Sequence, residues 1–213
     1  MKFVMSYSCG KDSTFALQKM LQRGDEPVGL LVMINEEAQR SWFHGADYAL
    51  LSRISDALGI PLIACPARGE AYHTAFEEGL KQAKERGAQA VCFGDIDNEQ
   101  NRQWGVERCK AAGLSWEYPL WRRDRREIVR EMLAQGVRCV IKSVNNRMLP
   151  RTLLGSMLDE TAIGIMERCG VDICGENGEY HTLAVDGPAF RSKLEYELGR
   201  ILDFGDISVI DIR

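Results

Sequence analysis

Apolar and polar positions follow one repeating order over the first two-thirds of the chain: a short apolar run, a polar turn, an amphipathic stretch, then a glycine. Residues 2–7 predict a first strand. Within 13–23, Ala16 and Met20, and Leu17 and Leu21, recur at helical spacing on one face, and Gly24 follows as a C-cap. Residues 28–34 are apolar throughout, the pattern of a strand covered on both faces. The same order predicts helices over 46–58, 72–86, 99–112 and 124–135, each followed by glycine, and strands over 61–64, 90–94, 115–120 and 139–144. Such alternation predicts an α/β architecture, a parallel sheet with helices on both faces and 139–144 as its sixth strand. Past residue 145 the alternation weakens. One helix is predicted over 160–169, with loop and strand over 175–188 and 207–212, so 146–213 reads as a smaller α+β part beside 1–145.

Composition narrows the partners. The 213 residues are 45% hydrophobic and 27% charged, with a net charge of −4, which argues against an extended nucleic-acid surface. No apolar run is long enough for a membrane span, and the N-terminus lacks the apolar core of a secretion signal. Seven cysteines are scattered without a C-x-x-C pair, mostly in apolar stretches, as expected of a reducing, cytoplasmic compartment.

The candidate chemistry lies where the first strand meets the first helix, at Ser8-Cys9-Gly10-Lys11-Asp12-Ser13-Thr14. Parallel sheets bind ligands at the carboxyl ends of their strands. Gly10 admits close backbone approach, successive N–H groups and the helix N-terminus attract an anion, Ser8, Ser13 and Thr14 add hydroxyls, and Lys11 adds a cation. Asp12 suits orienting the loop or a Mg²⁺-bound water. A Walker loop is excluded, because Met5 and Asp12 stand where it needs Gly and Ser/Thr. A plain Ser/Asp helix cap explains the acid and the serine but not Gly-Lys-Asp-Ser together.

This junction resembles the S-G-G-x-D-S signature of the PP-loop ATP pyrophosphatases, with Cys9 in place of the first glycine. Cys9 is then either a tolerated small residue or a thiol activated at a helix N-terminus. Further along, Ser41-Trp42-Phe43-His44-Gly45, Pro119-Leu120-Trp121 with Asp124, Leu154-Gly155 with Leu158-Asp159, and Cys174-Gly175-Glu176-Asn177-Gly178-Glu179-Tyr180-His181-Thr182 with Asp186-Gly187-Pro188 resemble the diphthine–ammonia ligase family over nearly the whole chain. The family's longer eukaryotic members carry an additional C-terminal region with no counterpart here. The resemblance implies a Rossmann-like, HUP-type fold, with 1–145 binding ATP and 146–213 serving the acceptor. It also implies cleavage of ATP between the α- and β-phosphates with Mg²⁺, adenylation of a carboxylate, and its amidation by free ammonia. The acceptor it implies is diphthine on an elongation factor; a small molecule such as a corrinoid side chain is the alternative.

Several residues then acquire candidate roles. Glu176 and Glu179, three apart in a glycine-rich turn, can hold ammonium and take its proton, with His181 assisting, unless they are solvated acids of a polar turn. Met33, Phe43 (or Trp42), His44 and Gly94 are expected beside the nucleotide, the aromatic stacking on adenine. Asp95 and Asp97 are candidate Mg²⁺ contacts. Cys169, Cys174 and His181 lack recognised metal-site spacing. Arg122, Arg123, Arg125 and Arg126 open a helix against its dipole, suiting either a site for an anionic partner or a solvated face. Competing functions are tRNA modification, disfavoured by the acidic charge and the missing C-x-x-C, and nucleotide sensing without turnover. Homo-oligomerisation is left open.

Overall fold

The computed structural model describes residues 1–42 and 44–213. Among the described residues, ten strands form two sheets that, with six α-helices, share one core. Strand β1 (Lys2–Ser6) runs parallel to β2 (Glu26–Asn35) on one side and to β5 (Ala90–Cys92) on the other. Strand β4 (Leu62–Ala67) extends the sheet beyond β2, and β6 (Ser115–Glu117) extends it beyond β5; the two-residue β3 (Arg40–Ser41) pairs antiparallel with the end of β2. The chain thus builds outward from β1 to β4, then crosses back to start β5 on β1's other flank. That reversal of strand order opens a crevice above the carboxyl ends of β1 and β5, where such sheets bind ligands.

Helices cover both faces. α1 (Lys11–Gln22), α2 (Tyr48–Leu58) and α5 (Arg125–Ala134) pack on one face, where Phe15, Leu17, Leu51, Ile54, Ile128 and Met132 lose all contact with water. α3 (Tyr72–Glu85) and α4 (Glu99–Ala112) cover the other, with Phe76 and Leu80 against Leu31, Val91 and Phe93. Apolar burial on this scale, about 25 cal/mol per Å² of surface withdrawn from water, is what opposes the chain entropy. Predicted and observed elements agree closely through α5.

The prediction for 139–144 needs correcting. β7 (Arg138–Asn145) forms, but it belongs to a second, antiparallel sheet ordered β8, β7, β10, β9, with β8 Tyr180–Asp186, β9 Leu198–Phe204 and β10 Ile207–Ile212. A continuous apolar run reports burial on both faces and says nothing of strand direction. The division between sheets therefore falls ahead of β7, not after residue 145. Helix α6 (Glu160–Arg168) follows β7, and its Ile163 and Met166 join the same core as Phe3 and Met5. The edge strand β8 docks directly on the loop after β1: the Ala184 N–H donates to the Cys9 carbonyl at 2.9 Å, and the Lys11 N–H to Thr182 Oγ1 at 3.0 Å.

Candidate active site

The loop after β1 is shaped as a cradle. Cys9 holds φ 72°, the left-handed region that favours glycine, and Gly10 is the extended N-cap residue of α1. A Cβ on Gly10 would stand 2.8 Å from the His44 ring, and one on Gly94 2.7 Å from the Ser13 nitrogen, so both glycines permit close packing that a side chain would obstruct. Helices α2, α4, α5 and α6 begin on Asp47, Asn98, Asp124 and Asp159, whose side chains accept the orphan N–H groups. α1 has no such side-chain cap. Among the described residues no acceptor takes the N–H of Asp12 or Ser13. Ser13 Oγ lies 3.1 Å from Ser8 Oγ and donates to the Gly10 carbonyl at 3.2 Å, and buried Thr14 bonds the Tyr7 hydroxyl at 2.9 Å. Cys9 is fully buried, and burial pushes its thiol up to about 12, which removes the activated-thiolate alternative.

Lys11 is 5% exposed, and its Nζ bonds both Asp12 carboxylate oxygens at 2.7 Å. Burial disfavours the charged amine, but Asp12, Tyr180, Cys174 and Glu176 together hold its pKa well above the ordinary lysine value. Glu176 Oε1 lies 3.9 Å from the same Nζ. The Glu176 side chain is 24% exposed although its backbone is open to water, and burial, with Asp12 next, lifts its carboxyl to about 7. Asp12, Cys174 and Glu176 offer ligand atoms within 4.8 Å of one another.

The turn carrying Glu176 is built around the other acid. Glu179 is 1% exposed and accepts from the N–H groups of Asp172 and Asn177 at 3.2 and 2.9 Å and from Asn177 Nδ2 at 3.1 Å. Gly175 and Gly178 hold φ 77° and 83°, and a Cβ on Gly175 would stand 2.9 Å from the Tyr180 ring. These contacts enclose a cleft of about 720 Å³ lined by Lys11, Asp12, Ser13, Gly94, Asp95 and Glu176, a volume suited to a nucleotide.

Two family descriptions match the sequence: the diphthamide synthase N-terminal domain over residues 1–116, and the diphthamide synthase C-terminal domain over residues 124–213. The chain belongs to the diphthamide synthase family. Among curated relatives, a diphthine–ammonia ligase of Danio rerio is 28% identical over 218 residues, covering 91% of this chain and 86% of that protein. The Homo sapiens protein of the same name is 25% identical, covering 91% and 82%. A solved structure described as a predicted subunit of tRNA methyltransferase from Methanocaldococcus jannaschii aligns at TM-score 0.49 and 12% identity, covering 91% of this chain and 99% of that one.

For this diphthamide synthase family member, the structure brings Ser8, Lys11, Asp12, Ser13, Glu176, His44, His181, Gly94, Asp95 and Met33 around one cleft, with Gly10 packed against the His44 ring and Cys9 buried in the core behind it. Thr14 and Glu179 lie behind it as supports. The Met33 carbonyl already accepts from the Trp42 N–H at 2.9 Å, and Trp42 lines the cleft with its ring 5.1 Å from Tyr72. Phe43 lies outside the described residues. The His44 and His181 rings meet edge to face at 5.2 Å; burial, then His181 and Lys142, lowers His44 to about 3, so its ring is neutral. Burial also lowers His181. Asp95 is lifted by burial and lines the cleft, whereas Asp97 lies outside that lining and is bound by Arg125 Nε at 2.6 Å.

The arginines do not form an open anion site. Arg122 pairs with Glu99, Arg123 with Glu131, Arg125 with Asp97 and Asp172, and Arg126 with Glu167. Arg125 in particular ties the loop after β5 to the turn holding Glu176. Sequence reasoning missed Tyr72, His73, Phe76 and Trp104, which make an aromatic wall of the cleft. Their signal was present but ambiguous, since aromatics at helical spacing also mark an ordinary core.

Proposed function

We propose that the chain binds ATP with its triphosphate on the α1 N-terminus, adenylates a carboxylate, and transfers ammonia to it, with diphthine on an elongation factor as the acceptor. As a member of this family the chain is an ATP-dependent carbon–nitrogen ligase. The observation that carries the finer reading is the uncapped start of α1, where the Asp12 and Ser13 amides, beside buried Lys11, have no acceptor among the described residues. Oriented N–H groups and a fixed ammonium stabilise charge developing on departing pyrophosphate, and such preorganised donors commonly supply the largest catalytic effect. The purine rests against Trp42, Tyr72 and Trp104.

Asp12 and the cleft-lining Asp95 offer the hard carboxylate oxygens that suit Mg²⁺, whereas burial pushes the Cys174 thiol beside Asp12 up to about 12 and keeps it protonated. These two acids would hold the ion, which would neutralise phosphate charge. The acceptor carboxylate attacks the α-phosphorus and the bond to pyrophosphate breaks. Ammonia then attacks the acyl carbon, the bond to AMP breaks, and the surplus proton passes to a carboxylate. Glu176, poised near neutrality, is the group placed to take that proton.

The test is ATP–pyrophosphate exchange with candidate carboxylates, followed by AMP and amide formation on adding ammonium. Exchange that needs the acceptor and disappears in Ser13→Ala supports the reading; exchange retained in that variant contradicts it.

A further inference from the structure

A second cavity, of about 400 Å³, backs onto the nucleotide cleft. The two share Trp42, His44 and His181, so the paired histidine rings form a partition between them. The other wall is the antiparallel sheet, with Lys142 from β7, Leu202 and Phe204 from β9, and Val209 and Asp211 from β10.

Lys142 is the unusual member. Its side chain is 3% exposed, yet its Nζ has no hydrogen-bond partner among the described residues. A buried ammonium without a partner is strongly disfavoured, so its retention in the cavity wall calls for a partner from outside the chain. Burial first, then Arg40, lowers its pKa to about 8. The buried His44 Nδ1 on the partition is likewise without a partner among the described residues.

The remaining charges select the ligand. Arg40 Nη1 donates to the Gly45 carbonyl at 3.0 Å and to Asp211 Oδ1 at 3.1 Å, and Asp211 Oδ2 accepts from Arg213 Nε at 2.9 Å. The one acid of the cavity is therefore held by two guanidinium groups. Ammonium would meet Lys142 and Arg40 there with no uncommitted carboxylate to receive it. An aliphatic carboxylate finds the missing partner of Lys142, and an apolar seat on Leu202, Phe204 and Val209.

We propose that this cavity is a separate subsite for a small aliphatic carboxylate, in which Lys142 and Arg40 meet the carboxylate and Leu202, Phe204 and Val209 seat its chain. The site lies beyond the histidine partition and does not depend on the ligase reading. Lys142 is a specificity residue for charge, not a contributor to phosphate chemistry.

The experiment titrates hexanoate, carbon-13 labelled at its carboxyl, into the full chain by NMR, with hexanamide as the neutral control of the same shape. ATP affinity is measured in parallel on every variant, which reports both its fold and its nucleotide cleft. Hexanoate is expected to bind at least about tenfold more tightly than hexanamide, Lys142→Met to erase that difference, and Lys142→Arg to keep most of it. Equal binding of the two probes to the unaltered chain, or undiminished hexanoate binding in a Lys142→Met variant that still binds ATP, overturns the subsite. Failure of the unaltered chain to bind ATP would instead defeat the ligase reading, while the preference between probes still decides the subsite.

Discussion

Two glycine-bearing loops meet at Lys11, and they handle their backbone N–H groups in opposite ways. Among the described residues, the loop after β1 leaves the amides of Asp12 and Ser13 without an acceptor and has no side-chain cap on its helix. The turn 172–179 engages the amides of Asp172, Cys174 and Asn177 on its own carboxylates, chiefly Glu179. The first keeps donors unfilled. The second ties its donors down, and Glu176 extends from it toward Lys11. Two acids three residues apart thus divide the work, one organising the turn and the other facing Lys11.

That contrast is sharpest in its consequences for substitution. Lys11→Met removes the cation of the open loop and should lower ATP–pyrophosphate exchange by at least about a hundredfold in steady-state assays, with far-UV circular dichroism unchanged. Glu179→Ala strips the closed turn of its acceptor and should cost about 2–4 kcal/mol in urea denaturation, since three donors lose their partner. Were Glu179→Ala instead as stable as the natural chain, the division of labour would fail.

Lys142→Met should move stability the other way. The unfolded chain keeps this proton up to its ordinary 10.5, whereas the fold releases it near 8. The unfolded state therefore binds more protons between those values, and the natural chain gains stability as pH rises from about 8 to 10.5. Below pH 8 the fold carries the full cost of the buried charge, so Lys142→Met should be stabilised there by on the order of 2–3 kcal/mol. A melting series from pH 6 to pH 11 (about the range of that titration) checks both the gain and its disappearance at high pH.

Smaller effects follow at the facing acid and at the loop's tight bend. Glu176, lifted to about 7 by burial and then by Asp12, serves as a proton acceptor only when ionised, so the rate of amide formation should climb through neutrality. Glu176→Gln should flatten that limb and reduce the plateau by about tenfold. Cys9→Gly relaxes the left-handed backbone but empties a buried site and adds chain entropy, so its stability should lie within about 1 kcal/mol of the natural chain and its exchange activity should persist.

Much of this was readable from the chain. Helical spacing and terminal glycines located α1, α2, α3 and α5 nearly to the residue, and Gly10-Lys11-Asp12-Ser13 marked the junction that lines the cleft, because both are local properties. The rest depended on long-range pairing. Residues 138–145 read as a buried strand, but their partner, Tyr180–Asp186, lies in a segment whose pattern reads as loop. β9 escaped notice because most of it is exposed at a sheet edge, where no apolar rhythm is required. The arginines at and just before the start of α5 had no evident partner in the sequence because Glu99, Asp172 and Glu167 are distant along the chain. Lys142 carried a legible signal, a single cation inside an otherwise apolar run, though its missing partner is visible only in three dimensions.

Whether the start of α1 seats the nucleotide's phosphates is read from backbone amide NMR during titration with magnesium pyrophosphate. The Asp12 and Ser13 amide protons should move furthest downfield, while those of Asp172 and Asn177, already bonded within their turn, stay nearly still. Saturable binding with Asp12 and Ser13 unmoved would contradict that seating.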